Sequence, residues 1–449
     1  MKIIKIPTDK FKTNLCAIFL TLPLKRETIT YNALIPAILR RGTANLKNQL
    51  EINKKLENMY GASFNCGIDK TADYCVLKFY IETLDDQFLI EDNKLTEEAI
   101  KLLIDIVFNP LVKDNGFDEE YVEQEKENLK KVINSRKDDK SMYATNRCIE
   151  EMFKNQPFGI YKYGYQEDFA KINAQNLYAY YKEIIKSAKI NFFMAGKINE
   201  INDKEIENNI LKMTGNVENI EIPSYEIEKR LNEQIIKESM DVSQGKLIIG
   251  LDAPAENKYT MAMYSMILGG GANSKLFQNV REKAGLAYSA GTLYMKMKDA
   301  ILIRAGIEIA NFDKAVKIIK EQINDMKDGK ITDDEFNSAM QLRTSLIRLI
   351  PESQQDIISY YFDQELNNEN ISIDEYIQEI KKVKKEDIIE IAKQVKINTI
   401  YFFSVFFLGT TIIFIPFSNV SIYTFSFISL FSIICIYTFN YISIVSPYK

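Results

Sequence analysis

The sequence predicts an α+β protein of two homologous domains followed by an apolar tail. Three observations carry this. Alternating apolar strands and long amphipathic helices occur in both halves without strict alternation, which argues α+β rather than a doubly wound sheet. The two halves repeat each other in order of elements. The last 48 residues before Lys449, Tyr401 to Tyr448, contain no charged side chain.

Length and composition set the frame. A chain of 449 residues suits two or three domains. Charged residues make up 27% and hydrophobic residues 46%, as in an ordinary globular protein. The formal net charge of −5 leaves no basic footprint for nucleic acid. Five scattered cysteines, Cys16, Cys66, Cys75, Cys148 and Cys435, include no CxxC pair. They suggest neither a disulfide framework nor a zinc ribbon, and fit a reducing cytoplasm. There is no histidine. Ser-His-Asp and Cys-His catalysis are thereby excluded, as are His-ligated zinc sites. A carboxylate-only site stays open, but carboxylates alone favour magnesium or calcium over zinc.

Along the chain, Leu15 to Leu24 is a short apolar run behind five lysines or acids, with Pro23 inside it. It reads as a buried strand rather than a signal peptide. "ALIPAILRRGT", Ala33 to Thr43, reads as a short apolar helix ending in a basic pair and a Gly-Thr turn. "NMYGASFN" reads as a turn into a strand. "DYCVLKFYIET" from Asp73 and "DAILIRAGIEI" from Asp299 align without gaps as strands, each with a late glutamate, Glu82 and Glu308. Each precedes an amphipathic helix, one with Ala99, Leu103 and Ile106 on a face, the other with Ala315, Ile319 and Ile323. Acidic helix starts follow in both, "FDEEYVEQEKE" and "ITDDEF", which read as exposed helix N-termini favoured by the dipole. "KINFFMAGKI" and "KINTIYFFSV" read as closing strands. The domains are placed at 1–200 and 233–405, with 201–232 as linker. Packed halves are expected to leave a wide, shallow groove between them. For the tail, 406–449, two readings stand: a transmembrane hairpin, with 401–448 as membrane anchor, or a frameshift product of AT-rich DNA.

"GGGANSKLFQNVREKAGLAYSAGTLY", Gly269 to Tyr294, resembles the second domain of the pitrilysin/insulinase (inverzincin) metallopeptidases. "NALIPAILRRGTANLKNQLEINKKLENMYGASFN" resembles their first domain. The likeness covers roughly residues 10–405. It implies a half-clamshell of two α+β domains, each an antiparallel-rich sheet with helices on one face, two such halves enclosing a chamber. Active members carry H-x-x-E-H and a distal glutamate on zinc. Aligned on the Gly-Thr ending, those positions hold Ala33, Pro36 and Ala37, and Val132 stands in the distal place. None can bind zinc or take a proton from its water. Pro36 is also expected near a helix start, where a lost hydrogen bond is tolerable. No metal or other cofactor is expected in this chain. Zinc is expected only in a partner.

The family's R…Y motif, which helps hold the substrate peptide, matches Arg281 and Tyr288. A guanidinium and a phenol can both donate to a carbonyl or an oxyanion. Gly269, Gly270 and Gly271 are read as a tight turn with φ > 0. Among bacterial members the chain is similar to the histidine-less half of a pair associated with 5-aminopentanol modification of elongation factor P. The reading is a non-catalytic subunit of a heterodimeric zinc metallopeptidase, inactive alone, with a homologous H-x-x-E-H chain and a peptide as partners. The alternative is a stand-alone peptide-binding scaffold, with peptides added to an edge strand. A third, an enzyme using carboxylates and a hard metal, is disfavoured by the missing distal glutamate.

Overall fold

A computed structural model describes residues 1–90, 94–215, 233–240 and 242–404. The tail from 406 onward, with both of its readings, lies outside the described residues. The first domain runs β1 (Lys2–Pro7), β2 (Thr13–Pro23), α1 (Ile29–Leu39), α2 (Gln49–Asn58), β3 (Ser63–Thr71), β4 (Tyr74–Leu84), α3 (Leu95–Phe108), α4 (Glu119–Asn134), α5 (Lys140–Met152), α6 (Ala174–Ser187), β5 (Lys189–Gly196) and α7 (Asp203–Thr214). The second runs β6 (Gln234–Ser239), β7 (Gly245–Asp252), α8 (Lys258–Gly269), a π-helical turn (Phe277–Lys283), β8 (Ala287–Met295), β9 (Ala300–Ile307), α9 (Phe312–Lys327), α10 (Asp333–Arg348), α11 (Gln354–Leu366), α12 (Ile373–Lys382), α13 (Lys385–Ala392) and β10 (Lys396–Ser404).

The repeat is visible in the sheets. One is ordered β1-β5-β2-β4-β3 and the other β6-β10-β7-β9-β8. In each, a first strand pairs parallel with the closing strand and the remaining neighbours are antiparallel. The matched segments from Asp73 and Asp299 become β4 and β9, second from the edge in both sheets. Ala99, Leu103 and Ile106 of α3 and Ala315, Ile319 and Ile323 of α9 are all buried. The acidic starts are capped as their residues suggest. Asp118 accepts from Glu120 N at 2.9 Å, and Thr332 and Glu335 form a reciprocal capping box on α10.

Strand β2 shows why one run can be apolar throughout. Cys16, Ile18 and Leu20 face the core under α1, α3 and α6. Leu15, Ala17 and Phe19 face the other way, onto Ile357, Ile358 and Phe362 of α11, which belongs to the second domain. Period-two alternation holds, but both faces are covered. The exchange is reciprocal. Helix α5 of the first domain lays Tyr143, Cys148 and Met152 on the outer face of the second sheet, against Ile248, Leu302 and Tyr401.

Two expectations need correction here. The halves are not separated by a wide groove, because each sheet's outer face is filled by the other domain's helix; a cavity of about 340 Å³ remains beside α5 and β8. The apolar run from Tyr401 does not begin in a membrane segment. Tyr401, Phe402 and Phe403 are buried in β10 between β6 and β7, and no helix among the described residues is long and apolar enough to cross a membrane. Within 201–232, α7 packs Ile206 and Ile210 into the first core.

Two ion pairs lock the domains. At the β3–β4 turn Asp73 accepts from Lys298 of the β8–β9 turn at 2.9 Å, with side chains 8% and 3% exposed. Glu238 on β6 accepts from Tyr143 and Tyr401, both at 2.6 Å, and from Arg147 on α5 at 3.2 Å.

Candidate functional site

Two sets of residues were singled out by the sequence, and they lie in different domains. On α1, Ala33 and Ala37 stand one turn apart on one face with Pro36 between them; the alanines are half-buried and Pro36 is buried. Pro36 is not near the helix start. It is the eighth of eleven residues, so the hydrogen bond it forfeits is the one Asn32's carbonyl would accept, and the helix ends three residues later. The Pro36 carbonyl still accepts from Arg40 N at 3.3 Å and from the Cys66 thiol at 3.2 Å. Burial pushes that thiol up to about 11, with Glu125 adding to the rise and the Arg40 charge opposing it. It is a protonated neighbour rather than a thiolate ligand.

Helix α4 packs against α1 and carries the buried acid Glu125. That carboxylate is taken: Arg41 Nε donates to it at 2.6 Å and Asn128 at 3.2 Å. Val132 lies two turns beyond Glu125 and is 41% exposed. Among the described residues no three Cys, Asp or Glu side chains converge. Two methyls, a pyrrolidine ring and a valine have no lone pair to give, so this wall does not fit a zinc ion.

The second set sits on the π-helical turn and β8. Arg281 stacks over Phe277 at 4.5 Å and lies 3.6 Å from Glu282, with 43% of its side chain exposed. Gly285, at φ +60°, turns the chain; its N–H donates to Arg281 O, and Leu286 N donates to Val280 O. Val280 and Leu286 are buried and anchor the turn, while Arg281 and Tyr288 stay exposed. Tyr288 is 67% exposed on β8, whose far edge has no strand partner among the described residues. Among the described residues no hydrogen bond or ion pair joins this set to the α1 set.

The glycines upstream act by size, not by φ. Gly270 is right-handed at φ −82°, and none of Gly269, Gly270 and Gly271 has positive φ. A Cβ on Gly269 would come within 2.9 Å of Thr292 N, and one on Gly270 within 2.7 Å of Met266 Cα. Gly269 lets the end of α8 lie directly against β8, whereas Gly270 is held by Met266 of its own helix and Gly271 meets only Leu342 of α10. The positive-φ glycine of this motif is Gly285.

Comparison with known proteins agrees with this geometry. The model of the peptidase M16 inactive domain matches residues 171–342. A Bacillus subtilis protein named "probable inactive metalloprotease YmfF" is 30% identical over 409 residues, covering 88% of this chain and 94% of that one. The chain belongs to the M16 peptidase family. Solved structures share the fold: a conserved protein of Enterococcus faecalis V583 superposes with TM-score 0.79 at 24% identity, covering 90% of this chain and 96% of that one. The peptidase M16 inactive domain of Pseudomonas fluorescens gives 0.71 at 16% identity, with the same coverage. This M16 chain is a non-catalytic member, and the α1 wall gives the chemical reason: it has no group that could hold the metal or move the proton.

Sequence reading missed the domain-locking groups. Asp73 and Lys298 each sit in a hairpin turn and look like ordinary turn residues. The available signal was their place in the repeat: Asp73 aligns with Asp299, the neighbour of Lys298.

Proposed function

We propose that this chain is the non-catalytic subunit of a two-chain zinc metallopeptidase. It contributes Arg281, Tyr288 and a chamber wall, while a homologous partner bears H-x-x-E-H and the zinc. One observation carries the reading. Tyr288 projects into solvent from the edge strand β8, and Arg281 is part-exposed on the turn that leads into it, beside Glu282, in a chain whose own α1 offers no metal ligand. Such donors have most value where a partner builds charge on the substrate. The cytoplasmic setting, read from the scattered cysteines, and the context of elongation factor P modification, which rests on the resemblance, belong to this proposal.

The test is recovery of the tagged full-length chain from its own cells, read by mass spectrometry. The expected result is stoichiometric recovery of an H-x-x-E-H homologue. In that complex Arg281→Ala and Tyr288→Phe should each lower kcat by roughly 10²-fold, the scale of losing one oxyanion donor. Recovery of the chain alone would overturn it. The second reading, a stand-alone peptide-binding protein, is favoured by the free edge of β8, which can pair with an extended peptide without any second subunit.

A further inference from the structure

The helical side of the first domain carries an open groove of about 470 Å³ between α3, α7 and the loop that enters α2, a volume in the range of small-molecule sites. Helical spacing builds its walls. Glu98, Lys101, Leu102 and Asp105 follow at i, i+3, i+4 and i+7 and so share one stripe of α3, while Asn209, Lys212 and Met213 share one of α7. The surface between them is apolar. Leu102 and Ile104 are buried, Leu46 is half-buried, and Met213 is 42% exposed.

The charges around that apolar surface are unevenly spent. Glu98 is paired with Lys55 of α2. Asp105 accepts from Thr43 Oγ1 at 2.6 Å, from Asn45 Nδ2 at 2.8 Å and from Asn109 Nδ2 at 2.7 Å. Both carboxylates of the groove are therefore committed. Lys101 and Lys212 are exposed, and neither is in an ion pair among the described residues. An ammonium has donors and no acceptor, so what the groove has left to offer is positive charge from two helices beside an apolar surface. A small bare anion would gain little from exposed lysines, and a neutral alkyl chain would gain nothing from them. An anion that carries an alkyl chain meets both halves of the groove.

We propose that this groove binds a single-chain anionic amphiphile, a fatty-acid carboxylate, with its head on Lys101 and Lys212 and its alkyl chain on Leu46, Leu102 and Met213. The site lies in the first domain, is separate from Arg281 and Tyr288, and stands on this chain alone, with or without a metallopeptidase partner.

The test is calorimetric titration of the purified full-length chain with decanoate, below its micelle concentration, and with octanoate, acetate and methyl decanoate. The expected result is saturable binding of one decanoate per chain. Each methylene removed should weaken it about twofold to fourfold, and acetate should show no binding. Methyl decanoate, which keeps the chain and loses the charge, should bind about tenfold more weakly, and so should decanoate to the double variant Lys101→Ala with Lys212→Ala. Both lysines are exposed, and the ligand series needs no variant, so the test does not depend on the fold of an altered chain. No saturable binding at millimolar decanoate, equal binding of the methyl ester, or unchanged binding by the double variant overturns the proposal. Binding to phosphatidylglycerol vesicles without binding to free decanoate also overturns it. Each of these results leaves the recovery of a partner subunit to be judged on its own.

Discussion

The Asp73–Lys298 pair allows a sharp test of how the two domains are held. Lys298 Nζ donates to Asp73 Oδ2 at 2.9 Å and to Gln156 Oε1 at 3.1 Å, while Asp73 Oδ1 accepts from Phe158 N at 3.1 Å. Both ends are nearly closed to water. Removing one partner strands the other charge, which costs about 3–5 kcal/mol for a buried pair. Lys298→Met should fall in that range. Asp73→Ala should cost more than Asp73→Asn, because the amide oxygen can still accept from Phe158 N, whereas alanine orphans that donor for about 1–3 kcal/mol further. The double variant Asp73→Leu with Lys298→Met should recover most of the loss, since apolar replacement of a whole buried pair is often neutral. Urea unfolding curves give these differences, and repeating them in 1 M salt should leave them nearly unchanged, because buried pairs are weakly screened. Losses below about 1 kcal/mol for the single variants, or a double variant worse than either, would refute the reasoning.

Further outcomes follow from other contacts. Gly270→Ala should destabilise by about 1–3 kcal/mol in thermal unfolding, because its Cβ meets backbone. Gly271→Ala should be nearly neutral, since its Cβ meets only the tip of exposed Leu342, and Gly285→Ala should cost about 1 kcal/mol from its φ of +60° alone. Phe362→Ala should cost about 3–5 kcal/mol and raise hydrophobic-dye binding, because the ring sits 4.9 Å from Phe19 on the first domain's sheet. For Glu238, burial favours the neutral acid, but hydrogen bonds from Tyr143, Tyr401 and Arg147 outweigh it and hold the carboxyl below its ordinary range. Its stabilising effect is therefore full above the unfolded glutamate value near 4.3 and is lost as pH falls below it. Glu238→Gln should flatten the acid limb of the stability–pH curve, and an unchanged limb would count against it. With its thiol near 11, Cys66 should alkylate about tenfold faster per pH unit between pH 7.5 and 9.5, with no plateau.

The repeat was legible because its signals are local. Alternation in β4 and β9 and helical spacing in α3 and α9 survive in any window of the chain. The absence of H-x-x-E-H was legible for a stronger reason, since no folding can supply an absent histidine. The errors share a cause. Gly269 to Gly271 suggest positive φ when read alone, yet Gly269 is constrained by the approach of Thr292 from β8 and Gly270 by Met266 one turn earlier in α8. A shallow groove was expected because a lone domain's sheet has a bare face, and nothing in "MYATNRCIEEMF" says which sheet α5 will cover. The position of Pro36 in its helix was misjudged because α1 begins at Ile29, upstream of the apolar run that marked it.

The crossing of α5 and α11 also has a consequence in time. The first domain's sheet is complete once β5 ends at Gly196, but Phe19, Val76 and Phe193 on its outer face must wait for α11, which finishes at Leu366. At roughly 5–20 residues per second of synthesis, that leaves an aromatic surface uncovered on the ribosome for about 10–30 s. The nascent first half is thus a natural client for a holdase chaperone, and slowing elongation before Leu366 should lower the soluble yield of a chain that is stable once finished.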